Sequence, residues 1–148
     1  MRVICDTSFL MVLCYKPIKN IDALESRFGK AVFLIHQDVL KELAKIKHLG
    51  GVKRSKIANL TLEVIENQVA RENFKYIFDI PDKNNMENDE NGLGNVDSRL
   101  LSLAIRNRYP LATIDKNLIS RALRKGADII TLKNNKAIFV KSYSSDQI

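Results

Sequence analysis

Two aspartates follow directly on short buried runs of the sequence. Asp6 comes after Arg2 to Cys5, and Asp115 comes after Leu111 to Ile114; both runs have the apolar, β-branched composition of strands buried in a parallel sheet. The ligand crevice of an open α/β sheet lies at the carboxyl ends of its strands. Both carboxylates are therefore predicted at the edge where such sheets bind ligands, with capping of a helix as the alternative role for Asp6.

Two further carboxylates are predicted on helices that pack against this sheet. Glu42 borders the apolar stripe formed by Val39, Leu43 and Ile46, and a solvated position on the helix flank is its alternative. Asp97 begins a stripe that continues at i+3, i+4, i+7 and i+8, which places its charge among buried side chains. Capping of the helix N-terminus explains part of that placement.

Four carboxylates crowded at one place repel one another, and a divalent cation relieves this repulsion directly. Oxygen-only ligands suit Mg²⁺ or Mn²⁺, whereas zinc requires clustered His or Cys, which the sequence does not supply. Such a cation lowers the pKa of a bound water and stabilises both oxygens of an in-line phosphodiester displacement. The set Asp6, Glu42, Asp97 and Asp115 therefore predicts nuclease chemistry.

The charge of the chain favours a polyanionic partner. Lys and Arg total 24 against 17 Asp and Glu, a net charge of +7 in 148 residues, which is a bias towards nucleic acid or an anionic membrane surface. The stretch from Lys45 to Lys56 contains five lysines and arginines and no acid. The candidate phosphate contacts are Lys53, Arg54 and Lys56 in this stretch, together with Lys116 and Arg121 after the fourth acid.

Strands and helices alternate along the chain in the order of βαβ units. Strands are predicted at Arg2 to Cys5, Ala31 to Ile35, Lys75 to Ile80, Leu111 to Ile114 and Asp128 to Leu132, with Ala137 to Val140 as a further strand at the edge. This order predicts an α/β fold with a central parallel sheet of about five strands. We expect a single domain over residues 1–141, a flexible acidic and Asn-rich loop at 82–95, and a C-terminal tail at 142–148.

Several other classes of protein are excluded by missing features. No apolar run approaches the ~20 residues of a membrane span, and the chain opens on a strand, not on a signal peptide, so we expect a cytoplasmic protein without a membrane partner. Cys5 and Cys14 lie in apolar segments and are expected to be free thiols. Neither a P-loop nor a G-x-S-x-G elbow is present.

The acidic motifs, taken together, resemble those of the PIN-domain ribonucleases. They are D-T-S at Asp6, V-L-K-E-L around Glu42, N-V-D-S-R-L-L-S-L-A from Asn95 to Ala104, and L-A-T-I-D-K-N-L from Leu111 to Leu118. Their order and spacing cover nearly the whole chain. Within the family, the pattern is most similar to stand-alone archaeal PIN proteins related to the eukaryotic nuclease that trims small-subunit ribosomal RNA precursors, and the VapC-type toxins are neighbours.

The resemblance implies a three-layer α/β/α fold, Mg²⁺ or Mn²⁺ bound by the four acids, and endonucleolytic cleavage of single-stranded RNA, with a role in rRNA processing. Thr113 matches the family's hydroxyl position beside the fourth acid, and Ser8 falls where a polar residue often supports the first. One departure is Ile114, where close relatives often have Asn. This change affects hydrogen bonds around the acids more than metal binding.

Two other functions stay open at this level. A VapC-type toxin would use the same chemistry and would be neutralised by a small antitoxin. A non-catalytic RNA-binding module in ribosome assembly would keep the fold and the basic surface, with the pre-ribosome as its partner. Because the family commonly forms dimers, a homodimer stays open as well.

Overall fold

The computed structural model describes residues 1–78 and 95–143. The strands of these residues are β1 (Arg2–Cys5), β2 (Val32–His36), β3 (Phe74–Ile77), β4 (Leu111–Ala112), β5 (Ile129–Lys133) and β6 (Lys136–Val140). Their helices are α1 (Thr7–Tyr15), α2 (Ile21–Phe28), α3 (Gln37–Leu49), α4 (Val52–Ala70), α5 (Asn95–Asn107) and α6 (Lys116–Arg124). Residues 82–94 of the predicted loop and residues 144–148 of the predicted tail lie outside the described residues, whereas Asn95, predicted as the end of the loop, begins α5.

All six strands form one sheet in the order β3-β2-β1-β4-β5-β6. Neighbouring strands are parallel from β3 to β5, and β6 alone runs antiparallel to β5. A tight turn joins these last two strands, and its central residues, Asn134 and Asn135, both have positive φ. The predicted α/β fold is thus confirmed, with five parallel strands and the edge strand as a sixth.

The order of the strands creates a crevice above β1. The chain passes from β1 to β2 on one side and returns after β3 to place β4 on the other side. Such a reversal is the topological switch point of an open α/β sheet, where ligands bind beyond the carboxyl ends of the strands. The residues that follow β1 and β4, Asp6 and Thr113, therefore meet at this point.

Helices cover both faces of the sheet. Right-handed crossovers place the connections that run from β1 towards β3 on one face and those that run from β3 towards β5 on the other. Accordingly, α1, α3 and α4 pack on one another, whereas α5 packs against β1 and β4, and α6 against β5. The α2 helix reaches β6, where the rings of Phe28 and Phe139 lie 4.6 Å apart. This is the three-layer arrangement expected from the sequence.

The core is continuous across the sheet. Every residue of β1 after the first is buried, as are both residues of β4, which accounts for the apolar runs in the sequence. Cys5 is buried, Cys14 is half-buried, and both are free, as predicted. None of the helices among the described residues has the length and apolar character needed to cross a membrane.

The structure differs from the sequence-based prediction in the start of one helix, the end of one strand and the exposure of one residue. The sequence predicts that α1 begins near Phe9, with Thr7 and Ser8 able to cap it. In the structure the helix begins at Thr7, because the carboxylate of Asp6 caps it. Strand β4 ends after two residues, so it does not extend to Ile114, which is 37% exposed. Ile105, the i+8 position of the buried stripe predicted to begin at Asp97, is 38% exposed and lies at the edge of that stripe.

Candidate functional site

Asp6 is a buried carboxylate held by three hydrogen bonds. Its Oδ1 accepts one from the backbone N–H of Phe9 at 2.8 Å and one from the hydroxyl of Ser8 at 2.9 Å. Its Oδ2 accepts a short hydrogen bond from the hydroxyl of Thr113. Asp6 therefore caps α1 and points into the crevice at the same time, so the two roles considered from the sequence are compatible.

Burial raises the pKa of Asp6 from 3.8 to about 6, and the nearby charge of Asp97 raises it as well. The hydrogen bonds from Thr113, Phe9 and Ser8 favour the ionised form and limit the rise. The carboxylate is thus fixed in place in an environment that resists its charge.

Thr113 connects the first acid to the fourth. Its side chain is fully buried, and while its hydroxyl donates to Asp6, it accepts a hydrogen bond from the backbone N–H of Asp115 at 3.1 Å. Asp115 itself is exposed and caps α6 by accepting from the backbone N–H groups of Asn117 and Leu118. Two residues separate Asp115 from the end of β4, so it does not follow the strand directly as predicted, and it lies at the rim of the crevice.

Glu42 is half-buried on the second turn of α3. Its Oε1 accepts a hydrogen bond from the hydroxyl of Thr7 at 2.9 Å, which connects α3 to the start of α1. Burial raises the pKa of Glu42, and the negative charges of Asp97 and Asp38 raise it further, while Lys45 has the opposite effect. Glu42 therefore faces the crevice and the other acids instead of standing on an open flank.

Asp97 lies in the first turn of α5 and is half-buried. Burial raises its pKa, the charge of Asp115 raises it as well, and the guanidinium of Arg121 lowers it. Asp97 in turn raises the pKa of both Asp6 and Glu42. It is thus the residue that interacts electrostatically with each of the other three acids.

The structure therefore brings the four predicted acids within electrostatic range of one another beyond the carboxyl ends of the strands. We call this region the acidic crevice (Asp6, Glu42, Asp97 and Asp115). Four different segments of the chain contribute them: the turn after β1, α3, α5 and the turn after β4. Within residues 1–78 and 95–143, no three Asp, Glu, His or Cys side chains lie close enough together to bind one ion directly as they stand. Among the described residues, the acids share an electrostatic environment without forming a closed coordination shell.

The five basic residues considered from the sequence fall into two groups. Arg121 is half-buried beside Asp97, and its Nη2 donates to the hydroxyl of Ser98 at 3.2 Å, while Lys116 is exposed at the start of α6. These two flank the acidic crevice. The other three, Lys53, Arg54 and Lys56, are exposed on the first turns of α4.

One ion pair beside the crevice was missed in the sequence. Asp38 is buried on the first turn of α3, and its Oδ2 lies 2.6 Å from Nη1 of Arg99 on α5. The backbone N–H of Asp38 also donates to Nδ1 of the buried His36 at 3.0 Å. The pair joins the two helices that carry Glu42 and Asp97. The signal in the sequence was that Asp38 stands four residues before Glu42, on the same helix face.

A separate cavity of about 370 Å³ lies at the opposite end of the sheet. Its walls include Ala31 and Asn73, which precede β2 and β3, and none of the predicted site residues lines it. Because the titratable groups with mutual charge effects lie at the carboxyl ends of the strands, we place the candidate site there and not in this cavity.

Comparisons with known proteins find similarity at the level of structure. No protein-family model matches the chain, and no curated protein matches it in sequence. The structure is similar to that of the PIN domain endonuclease Utp24, with a TM-score of 0.62 and 19% identity, over 95% of this chain and 93% of that chain.

Two further structures share this fold. One is a domain of a functionally unknown protein from Methanocaldococcus jannaschii, with a TM-score of 0.59 and 19% identity, over 89% of this chain and 91% of that chain. The other is PAE2754 from Pyrobaculum aerophilum, with a TM-score of 0.51 and 21% identity, over 82% of this chain and 79% of that chain. The chain therefore has the PIN-like α/β/α fold, and the resemblance to PIN domains is confirmed for the fold.

Proposed function

We propose that this PIN-like chain is a metal-dependent endoribonuclease that hydrolyses phosphodiester bonds in single-stranded RNA. The observation that carries the proposal is the acidic crevice. Three of its acids have raised pKa values because of burial and of their own mutual repulsion, and they lie at the topological switch point of the sheet. Several carboxylates whose surroundings disfavour the ionised form, found together at such a place, indicate a functional site.

The donor set suits Mg²⁺ or Mn²⁺. All four acids offer oxygen, the ligand that hard divalent cations prefer, and a carboxylate has about four acceptor sites, of which Asp6 uses three. Mg²⁺ usually keeps several of its waters, so the acids need not all touch the ion. When bound, such an ion lowers the pKa of a water and stabilises the oxygens of an in-line displacement at phosphorus.

Each of the site residues has a stated role in this proposal. Asp6 and Asp97 are the principal metal ligands, and Glu42 and Asp115 complete the ligand set or orient the attacking water. Thr113 and Ser8 hold the carboxylate of Asp6 in one orientation by their hydrogen bonds. Thr7 does the same for Glu42.

RNA is the proposed substrate because basic side chains surround an acidic centre. A net charge of +7 attracts a phosphate backbone, and Lys116 and Arg121 flank the acids where that backbone would pass. The similar fold of a PIN domain endonuclease supports nuclease activity. A role in trimming small-subunit rRNA precursors in the cytoplasm is proposed from the resemblance of the sequence motifs.

The test is cleavage of a labelled single-stranded RNA with Mg²⁺, with Mn²⁺ and with EDTA. The wild-type protein should cleave with either metal and not with EDTA, and Asp97→Asn should lose at least about a hundredfold in rate. Asp22→Asn is the matched control, because it removes one exposed carboxylate of α2 far from the crevice. Equal rates for Asp97→Asn and the wild-type protein would refute the proposed function.

A further inference from the structure

Helices α3 and α4 form a hairpin that extends beyond the sheet on the side of the acidic crevice. The α3 helix starts at the carboxyl end of β2, and α4 leads back to the amino end of the parallel strand β3. The 19 residues of α4 span about 28 Å at 1.5 Å per residue, whereas the 5 residues of β2 span about 17 Å. Because α4 is longer than β2, the hairpin extends past the carboxyl edge of the sheet.

The end of this hairpin is a compact turn, which we call the hairpin tip (Leu49 to Val52). The N–H of Gly50 donates to the carbonyl of Ile46 at 2.8 Å, and the hydroxyl of Ser55 donates to the carbonyl of Lys47 across the turn. A Cβ on Gly50 would lie 2.5 Å from the carbonyl oxygen of Ile46, so only glycine fits there. These contacts stabilise the turn, and the steric restriction applies to Gly50.

The tip and the helical turns that flank it present apolar and cationic side chains to solvent. Leu49 is 76% exposed and Val52 is 77% exposed, the two highest values among the large hydrophobic residues that the structure describes. No acid occurs between Leu43 and Leu62. The cations along this stretch are Lys45, Lys47, Lys53, Arg54 and Lys56, and all five are exposed.

The cations connect the tip to the acidic crevice. Lys45 stands three residues after Glu42 on α3 and is close enough to lower its pKa, so the basic surface begins at the border of the crevice. Leu49 is seven residues after Glu42, which is about 10 Å along the helix axis. A strand of nucleic acid bound in the crevice and leaving along α3 would reach the tip.

We infer that the hairpin tip and the first turns of α4 form a second contact surface for single-stranded RNA, on which Lys53, Arg54 and Lys56 bind phosphates while Leu49 and Val52 pack against unpaired bases. This inference rests on the proposed function, because it takes RNA as the substrate of the crevice. Sequence-tolerant binding of a single strand combines a cationic track along the backbone with aromatic platforms for the bases. Leu49 and Val52 offer aliphatic surface instead, on which an unpaired base can bury its apolar face. A duplex keeps its bases stacked on one another, so the apolar pair has nothing to contact there. The tip therefore selects single strands for delivery to the acids.

The alternative occupants fit this surface less well. An amphipathic membrane anchor requires a long apolar face, and the tip offers two aliphatic side chains. A protein partner that contacts these two side chains would need acidic groups to match the surrounding cations. Such a partner does not account for the position of the tip beside the acidic crevice. Continuity of the cations with the crevice favours the strand that the crevice itself would bind.

The experiment measures RNA affinity in EDTA, where cleavage does not interfere. Fluorescence anisotropy of a short labelled RNA, single-stranded or in a blunt duplex, is followed over a range of salt concentrations. The charge variant is Lys53→Gln/Arg54→Gln/Lys56→Gln, and the apolar variant is Leu49→Ser/Val52→Ser. Their control is Lys16→Gln/Lys30→Gln/Lys125→Gln, which removes the same charge from exposed positions at the amino ends of the strands. Thermal melting shows that each variant folds.

The charge variant and the apolar variant should change RNA binding in different ways. The charge variant should lower the slope of log K against log salt by about two, because each lost phosphate contact on a single strand contributes about 0.7. The apolar variant should bind single strands about fivefold more weakly, with an unchanged slope and unchanged duplex affinity. The control should retain the wild-type slope.

Three results would overturn the inference. The first is an equal salt slope for the charge variant and its control, and the second is an equal loss of affinity for single strands and duplexes in the apolar variant. The third is tighter binding of the wild-type protein to vesicles of phosphatidylserine and phosphatidylcholine than to RNA.

Cleavage with Mn²⁺ separates this inference from the proposed function. If the wild-type protein cleaves RNA while tip variants bind normally, only the tip is refuted; if tip variants lose affinity but the wild-type protein never cleaves, only the nuclease is refuted.

Discussion

Replacing Asp6 with asparagine should stabilise the metal-free protein although it removes a principal residue of the site. Burial raises the pKa of this carboxyl from 3.8 to about 6, and each unit of difference between folded and unfolded states corresponds to about 1.4 kcal/mol. The ionised form of Asp6 therefore destabilises the fold by about 3 kcal/mol when the pH is above both values. The pKa already reflects the hydrogen bonds to the charge, but an asparagine pairs less well with the Thr113 hydroxyl, which costs about 1 kcal/mol. We therefore expect a net gain of about 2 kcal/mol.

The raised pKa of Asp6 also determines how the gain in stability depends on pH. Because the pKa in the folded state lies above that in the unfolded state, the contribution of Asp6 to stability is fully present below pH 3.8 and is lost as the pH rises through about 6. The gain from Asp6→Asn should therefore be greatest near neutral pH. The destabilisation by the ionised carboxyl falls to about half near pH 5, so the net gain should fall there to below about 1 kcal/mol.

The assay is urea unfolding in EDTA near pH 7 and near pH 5, followed by circular dichroism. Asp22→Asn, which removes an exposed carboxylate of α2, is the control and should change the free energy of unfolding by less than about 0.5 kcal/mol. If Asp6→Asn lowers stability near neutral pH, or if its gain is the same at both pH values, the reasoning about a destabilising buried charge is wrong.

Three further substitutions test individual contacts. Thr113→Val should reduce the rate of RNA cleavage about tenfold or more while Thr113→Ser restores it, because the hydroxyl orients the first carboxylate; identical rates for both variants would exclude this role. Arg99→Gln should lower the free energy of unfolding by about 2 kcal/mol, since it leaves the buried Asp38 without its closest cation, and a loss below about 0.5 kcal/mol by urea unfolding would contradict this. Gly50→Ala should lower the melting temperature by more than Gly51→Ala does, because a Cβ at Gly50 would meet a backbone carbonyl, whereas Gly51, at the N-cap of α4, has open space; equal melting temperatures would count against this steric restriction.

The parallel core could be predicted from the sequence because burial on both faces leaves a direct pattern. Continuous apolar runs mark β1 and β2, and a strand-helix-strand order leaves few topologies. The same reasoning extended β4 to Ile114, since an isoleucine there continues the apolar run. In the structure, Thr113 turns its hydroxyl to Asp6 and to the backbone of Asp115, which ends the strand and leaves Ile114 exposed.

The site could be predicted only as far as individual acids carry local signals. Asp6 after a strand and Asp97 in an apolar stripe are visible within a few residues of sequence. By contrast, the hydrogen bond from Thr7 to Glu42 joins positions 35 residues apart. The pair of Asp38 and Arg99 joins positions 61 residues apart. No spacing rule connects such partners, because the packing of α1, α3 and α5 on one sheet decides which side chains meet.

The most direct measurement is a titration of the protein with Mn²⁺, in which the electron paramagnetic resonance signal of free Mn²⁺ reports binding. A single acidic crevice predicts that the wild-type protein and Asp22→Asn bind the ion, that Asp6→Asn and Asp97→Asn bind it at least about tenfold more weakly, and that bound Mn²⁺ raises the melting temperature of the wild-type protein. Equal Mn²⁺ affinities for Asp97→Asn and Asp22→Asn would contradict the claim that these four acids form one cation site.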